Sequence, residues 1–147
     1  MGNRAVIAYK DEYVPKEYST SIYLHWNGGR DSVEAFLKVA NDIGVRASQG
    51  DYAMARLTQI ISNYFGGILS VGVGIYKRMD TDNYDNGVYW ISNNEKGELV
   101  IVDREFKRYP EQKTYNIDKM AKEVMSQMPQ GYQQDEDLYS QWERKSA

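Results

Sequence analysis

The chain has 147 residues, a formal net charge of −3 and a hydrophobic fraction of 41%, so it suits one folded domain and is too apolar for general disorder. It has no cysteine and one histidine, which excludes disulfides, cysteine nucleophiles and multi-histidine metal sites within one chain. The acidic balance gives no bulk attraction to phosphate backbones, so no extended nucleic-acid partner is expected. Thirteen tyrosines and three tryptophans favour binding through flat aromatic faces.

The first half of the chain predicts two strands and two helices. Strand-forming residues at 5–9 and 21–26 predict a hairpin. Apolar residues at helical spacing then predict helices over 31–43 and 52–65, each ended by glycine. Asp31 or the serine after it is the predicted N-cap of the first helix.

The second half predicts three strands and a third helix. Residues 68–76, 88–92 and 99–102 predict an antiparallel meander, because turn-forming residues separate them. The apolar spacing over 117–128 predicts a helix that Pro129 stops. The predicted fold class is therefore α+β, with an antiparallel sheet packed by two or three helices.

The uncharged stretch 57–76 is long enough to span a bilayer, but its polar residues and its central glycine pair predict buried core instead. No membrane partner is expected. In the strand half of this stretch, Gly72 and Gly74 leave one face bare, and we expect something to approach it closely.

Residues 1–128 are predicted to form a single ligand-binding domain, followed by a polar tail over 129–147. Leu138 and Trp142 lie one helical turn apart in this tail, so it is predicted to dock on its own core or on a neighbour. Residues 1–10 lack the apolar stretch of a secretory signal, which predicts a cytosolic location.

The turn before the first helix is a candidate anion site. Asn27 and Gly28 leave backbone amides open at a helix N-terminus, and Arg30 adds a full positive charge, which suits a phosphate. The alternative is an ordinary glycine turn with Arg30 in solvent. Arg56, beside the apolar stripe of the second helix, is either a packed surface arginine or a contact to a ligand or subunit.

The polar connection 80–87 contains three carboxylates, but their spacing departs from that of an EF-hand loop. A polar hairpin loop is therefore favoured over a calcium site, and no metal is expected. The same loop also suits a nucleobase, whose edge Asn83 and Asn86 would contact by hydrogen bonds. A flanking aromatic ring would stack on the face of the base, and the candidates are Tyr76, Tyr84, Tyr89 and Trp90.

Arg104 and Arg108 follow the last predicted strand within a cluster of mixed charge. They are either solvated or placed to contact a diphosphate or stack on an adenine. His25 has no nucleophile or acid beside it in sequence, so no catalytic residue is predicted. The protein is accordingly not expected to be an enzyme, and no cofactor is expected.

Three stretches carry a resemblance to small bacteriophage proteins. They are IYLHWNGGRDS at 22–32, ARL with NYFGG between 55 and 67, and DTDN with DNGVY between 80 and 89. The pattern resembles the first-described phage anti-Thoeris sponge family over about residues 5–108.

The resemblance implies non-catalytic sequestration of cyclic ADP-ribose-type immune signals in the host cytoplasm, by a homo-oligomer such as a hexamer with ligand sites between subunits. It implies a phosphate contact for Arg56 at a subunit junction, and nucleotide contacts for Asn86 and for Arg104 or Arg108. A cyclic oligonucleotide stays open as a further ligand. Two other functions stay open, namely a phage inhibitor that binds a host defence protein directly and an enzyme that acts on nucleotides.

Overall fold

The computed structural model describes residues 2–66, 70–108, 110 and 116–129. The α+β class predicted from the sequence is confirmed. Within the described residues lie five strands and three α-helices, in the order β1 (Ala5–Tyr9), β2 (Thr20–Leu24), α1 (Arg30–Asp42), α2 (Gly50–Phe65), β3 (Val71–Ile75), β4 (Val88–Asn93), β5 (Leu99–Glu105) and α3 (Ile117–Ser126).

The strands form one mixed sheet in the order β3-β2-β1-β4-β5. The predicted hairpin is confirmed, because β1 and β2 pair antiparallel with Ile7 opposite Ile22. The predicted meander is confirmed for β4 and β5, which pair antiparallel, but it is wrong for β3, which pairs with β2. The prediction of a wholly antiparallel sheet is also wrong, since β1 and β4 run parallel. β3 and β4 are thus separated by two strands, and the connection of residues 76–87 must cross both of them.

The helices form one layer that covers the sheet and contains the main core. α1 contacts β5, α2 contacts β2 and β3, and α3 packs on α1. The apolar stripes predicted for α1 and α2 face this core, where Phe36, Leu57 and Ile60 are fully buried. Burial of each such side chain contributes about 1.5 to 3 kcal/mol.

The start of α1 differs from the prediction. α1 begins at Arg30 with Gly29 as its N-cap, and no side chain caps it. The serine at 32 lies within the first turn, is buried, and accepts a hydrogen bond from the side chain of Asn27. The end of α2 agrees with the prediction, because Gly66 terminates it with a φ of 58°, which glycine adopts without steric cost.

The connection 76–87 covers the sheet face opposite the helices. Successive residues of a strand point to opposite faces, so this face carries its own smaller apolar cluster. Met79 Cε lies 3.2 Å from the position that a Cβ at Gly74 would occupy. At Gly74, the close approach expected at the bare face of β3 is therefore made by this connection. The cluster consists of Val6, Ala8, Val88 and Trp90, with Tyr23, Tyr76 and Met79 packed against it.

The predicted polar tail lies outside the described residues apart from Pro129, so the docking of Leu138 and Trp142 stays a prediction. α3 ends at Ser126, two residues before its predicted end.

The uncharged stretch 57–76 is shared between α2 and β3. In the described parts of the chain, no helix has the length and apolar character needed to cross a membrane.

Candidate functional site

Four segments meet at one end of the sheet, which we call the Asn86 end. β1 and β4 begin there, and β2 and β5 end there, because β1 runs parallel to β4 and antiparallel to β2. The segments are residues 2–4, 25–30, 83–87 and 104–108. Eight of the ten predicted site residues belong to them: Asn27, Gly28, Arg30, Asn83, Tyr84, Asn86, Arg104 and Arg108.

The Asn83 side chain stabilises the loop at residues 80–87 by hydrogen bonds to its backbone. This side chain is fully buried. Its Nδ2 donates hydrogen bonds to the carbonyls of Asp80 and Gly87, and its Oδ1 accepts from the N–H groups of Asp85 and Gly87. Direct contact with a nucleobase would require this loop to open, so Asn83 shapes the site from behind it.

Asn86 and Arg104 fix this loop to the sheet. Asn86 Nδ2 donates to the Arg4 carbonyl at 3.0 Å and to Asn3 Oδ1 at 2.6 Å. The Arg104 guanidinium donates to the carbonyls of Val88 and Asn86 at 3.0 and 2.5 Å. Its central carbon also lies 3.6 Å from the centroid of the Tyr89 ring. Arg104 is therefore part of the packing at this end as well as a candidate ligand contact.

The Gly28 turn is tied to the same network. The Gly28 amide donates to the Asn3 carbonyl at 2.8 Å, and the Tyr89 hydroxyl donates to the Gly28 carbonyl at 2.7 Å. A Cβ at Gly28 would lie 2.4 Å from the Asn3 carbonyl oxygen, so only glycine permits this approach. The amide predicted to face a phosphate is thus used within the chain. Arg30 donates to Glu34 at 3.3 Å on its own helix.

Backbone strain is concentrated at the Asn86 end. Among the described residues, the non-glycine residues with positive φ are Asn27, Tyr84 and Phe106, at 57°, 63° and 55°. This conformation is unfavourable for bulky side chains, and proteins retain such strain chiefly at functional sites. Tyr84 and Phe106 are also 66% and 45% exposed, as is Trp26 at 45%. We call the exposed residues Trp26, Tyr84 and Phe106 the aromatic rim.

Arg108 lies over one member of the aromatic rim. Its guanidinium carbon is 4.9 Å from the centroid of the Tyr84 ring. The same guanidinium forms a two-pronged ion pair with Asp82, with Nη2 at 2.8 and 2.9 Å from the two carboxylate oxygens. Asp82 therefore holds Arg108 in place beside the ring, and most of Tyr84 remains open to solvent.

Tyr76 belongs to a separate cluster on the sheet face opposite the helices. Its ring centroid is 4.9 Å from that of Trp90. Its hydroxyl and the Trp90 indole N–H both donate to Glu105 Oε1, at 3.0 and 2.5 Å. Lys16 Nζ donates to the other carboxylate oxygen at 2.9 Å. Tyr76 is therefore stacked on Trp90, and the predicted stacking on a base would need that ring to move.

The charge of Glu105 is stabilised by this cluster. Burial alone raises the pKa of Glu105, but the hydrogen bonds from Lys16, Trp90 and Tyr76 outweigh it, so its pKa lies below the ordinary value. Burial and the hydrogen bond to Glu105 raise the pKa of Tyr76 far above its ordinary value. The cluster thus favours an ionised carboxylate beside a neutral phenol.

Because the pKa of Glu105 is lower in the folded chain, this carboxylate stabilises the fold above its unfolded pKa of about 4.3, and the gain is lost as the pH falls through the folded value. Glu105→Gln is expected to lower the free energy of unfolding at about pH 7 and to have little effect near pH 3. Urea unfolding at both pH values measures this. The exposed Glu95→Gln is the control, and an equal effect of Glu105→Gln at both pH values would contradict the prediction.

Arg56 lies on α2, in the helical layer. It is exposed, with its guanidinium carbon 5.2 Å from the Tyr52 ring centroid and Nη1 3.3 Å from Gln59 Oε1. α2 contacts β2 and β3, whereas Asn86 belongs to the connection that crosses the other face of the sheet. Arg56 therefore lies in a different layer of the fold from Asn86.

Sequence reasoning missed the N-terminal segment of the Asn86 end. The backbone N–H and the Nε of Arg4 both donate to Asp85 Oδ2, at 3.1 and 2.8 Å. Burial raises the pKa of Asp85, but Arg4 outweighs this effect, so the pKa lies below its ordinary value. No local signal marks this pair, because 81 residues separate its members and only the parallel pairing of β1 with β4 brings them together.

Among the described residues, no group of three or more histidine, aspartate or glutamate side chains could hold a metal ion. Comparisons of the chain with protein-family models, with curated proteins and with solved structures found no match. The resemblance to the anti-Thoeris sponge family therefore rests on the sequence motifs alone.

Proposed function

We propose that this protein binds cyclic ADP-ribose-type signalling nucleotides and holds them without cleaving them, as a phage counter-defence protein in the cytoplasm of the infected host. The observation that carries the proposal is the Asn86 end. Residues 27–28 and 83–84, which the residue chemistry singles out, converge there with Asn86, Arg104 and Arg108, for which the resemblance also implies nucleotide contacts. The convergence coincides with the strained backbone and with the aromatic rim.

The chemistry of the Asn86 end suits a cyclic nucleotide. An exposed tyrosine ring offers a face to a base, and stacking a base on an aromatic ring contributes about 1 to 3 kcal/mol. Arg108, which already lies over Tyr84, can contact both a base and a phosphate, because a guanidinium stacks and donates in the same plane. In the proposed complex a ligand phosphate competes with Asp82 for this guanidinium.

Tyr84→Ala and Arg108→Ala are each expected to weaken binding of cyclic ADP-ribose isomers about tenfold or more, which corresponds to about 1.4 kcal/mol. Both side chains are largely exposed, so the free energy of unfolding should change little. Calorimetric titration measures the affinity. Tyr13→Ala is the matched control, because Tyr13 is 87% exposed and lies outside the Asn86 end, so it should bind as the wild type does.

The fate of the ligand separates sequestration from catalysis. After hours of incubation, heating the protein and analysing the supernatant by mass spectrometry should recover the nucleotide intact. Converted product would replace the proposal with that of a nucleotide-processing enzyme. Absence of binding by the wild type to every cyclic ADP-ribose isomer and cyclic oligonucleotide tested would overturn sequestration itself.

The proposal includes assembly into a homo-oligomer such as a hexamer, with ligand sites between subunits. It is supported by the position of Arg56 on the exposed surface of α2, where the side chain is accessible to a ligand or to a neighbouring chain. Sedimentation at micromolar concentration is expected to give a species of several chains. A single species of one-chain mass that still binds ligand would contradict the shared site.

A second candidate function is direct inhibition of a host defence protein. It is favoured by the connection between β1 and β2, where Tyr13, Val14 and Tyr18 are 87%, 37% and 54% exposed. Tyrosines at such exposed positions are typical of protein interfaces. Under this function, Tyr13→Ala would abolish protection of the phage and Tyr84→Ala would not, which is the reverse of the ligand-binding prediction.

A further inference from the structure

A cavity of about 680 Å³ opens beside the edge strand β3, on the sheet face opposite the helices. Its volume lies within the range that binds small molecules. None of the predicted site residues lines it. The lining includes Tyr23, Gly72, Gly74, Arg78, Met79 and Asp80.

Gly72 forms part of the lining of this cavity, and the fold itself does not require a glycine there. Its φ is not in the left-handed region. A Cβ at this position would meet only the Cβ of Tyr23, at 3.8 Å, which is an ordinary contact. Glycine in the interior of a strand weakens the strand, so a larger residue would stabilise β3. The bare position leaves room for a molecule to lie directly on the backbone.

Arg78 supplies the positive charge in the lining of the cavity. It is exposed, and it forms no ion pair or hydrogen bond with any described residue. The arginines at the Asn86 end differ, because Arg4 and Arg108 are paired with carboxylates and Arg104 with carbonyls. A phosphate can therefore bind Arg78 without displacing a partner.

The cavity adjoins the Asn86 end. The hydroxyl of Tyr23, which lines the cavity, lies 3.1 Å from Nδ1 of His25, which belongs to the Asn86 end. Asp80 also lines the cavity, and its carbonyl accepts a hydrogen bond from Asn83. One ligand can thus contact both places.

We infer that this cavity holds a ribose ring and one phosphate of the cyclic nucleotide, an inference that rests on the proposed function and names its second subsite. The ring lies over Gly72 beside Met79, and the phosphate binds Arg78. The Asp80 carboxylate accepts a hydrogen bond from a hydroxyl group of the ribose.

The decisive variant is Gly72→Val. Valine is favoured in strands, and the cavity leaves room for its side chain, so the melting temperature should be unchanged or higher. The affinity for cyclic ADP-ribose isomers in calorimetric titration is expected to fall at least tenfold, because the new side chain occupies the place of the ring. Gly72→Val that binds as tightly as the wild type would overturn the inference.

Arg78→Ala tests the phosphate contact, with Lys77→Ala as its matched control. Both residues are exposed neighbours and both changes remove one positive charge, so a general electrostatic effect would weaken binding equally. We expect at least a tenfold loss for Arg78→Ala and less than a twofold change for Lys77→Ala. Equal losses would overturn the phosphate assignment.

The outcome also separates this inference from the proposed function. If the wild type binds and Tyr84→Ala weakens binding while Gly72→Val and Arg78→Ala do not, the cavity is not part of the site and the proposed function stands. If the wild type binds no cyclic ADP-ribose isomer or cyclic oligonucleotide, the proposed function fails and the inference fails with it.

Discussion

Gly87→Ala is expected to destabilise the protein by about 3 kcal/mol or more. Gly87 has a φ of 65°, which costs an L-residue roughly 1 to 2 kcal/mol. In addition, a Cβ there would lie 2.1 Å from the Glu105 carbonyl oxygen and 2.5 Å from the Phe106 carbonyl carbon. Both contacts are with backbone, so the start of β4 would have to separate from the end of β5. A loss of this size is a large share of the roughly 5 to 15 kcal/mol that holds a domain folded.

Gly97→Ala is the matched control for this prediction. Gly97 also has a positive φ, of 76°, but nothing lies within 4 Å of a Cβ built there. Its substitution should therefore lower the free energy of unfolding only by the cost of a positive φ for an L-residue, about 1 to 2 kcal/mol. Urea unfolding of both variants measures the difference. Equal losses would mean that β4 and β5 separate at little cost to accommodate the alanine side chain at position 87, which would contradict the prediction.

The local parts of the fold could be predicted from the sequence. The spacing of apolar residues places α1 and α2 within a few residues of their observed bounds, because a helix shows its buried face in consecutive turns. The β1–β2 hairpin follows from adjacent runs of strand formers. These features depend on residues that are near each other in the chain.

The pairing of β3 could not be predicted in the same way. Its alternating valines and glycines suit either edge of a sheet, and only the packing of the whole chain selects β2 over β4 as its partner. The crossing of residues 76–87 follows from that choice. It places Tyr76 against Trp90 and Glu105, although 29 residues separate Tyr76 from Glu105.

The candidate site shows the same limit. Asparagines in a polar loop suit contact with a base and closure of a turn equally well, because the same amide groups do both. The sequence therefore predicts the same role for Asn83 and Asn86, but Asn83 is fully buried and Asn86 lies at the surface of the network. The N-terminal partners Asn3 and Arg4 could not be identified, because the parallel pairing that brings them to the loop has no local signature.

Asn83→Ala is expected to lower the free energy of unfolding by about 2 to 4 kcal/mol. The substitution removes two donated and two accepted hydrogen bonds. It leaves the buried N–H of Gly87 without a partner, and the cost of such an unpaired group exceeds the net gain from forming one hydrogen bond. The Gly87 carbonyl keeps the hydrogen bond that it accepts from the N–H of Val6. The cavity left by the missing amide adds to this cost.

Asn94→Ala is the matched control. Asn94 closes the turn between β4 and β5 in a similar way, since its Oδ1 accepts hydrogen bonds from the N–H groups of Lys96 and Glu98. These bonds are exposed, so water replaces them when the side chain is removed, and the loss should stay below about 1 kcal/mol. Comparable losses for the two variants in urea unfolding would show that the loop at 83–87 admits water and that Asn83 is not its internal support.

The same variant connects the stability of the loop to binding. A ligand that binds only the ordered loop loses apparent affinity in proportion to the fraction of chains in which the loop is ordered. Asn83→Ala is therefore expected to weaken binding of cyclic ADP-ribose isomers even where the chain remains folded. It is also expected to speed hydrogen exchange at the N–H groups of Asn86 and Val6, which donate to the carbonyls of Arg4 and Gly87 and keep these acceptors in the variant. Saturating ligand should slow that exchange again, because binding selects the ordered loop. Exchange that is faster than in the wild type and insensitive to ligand would place the bound nucleotide away from the Asn86 end.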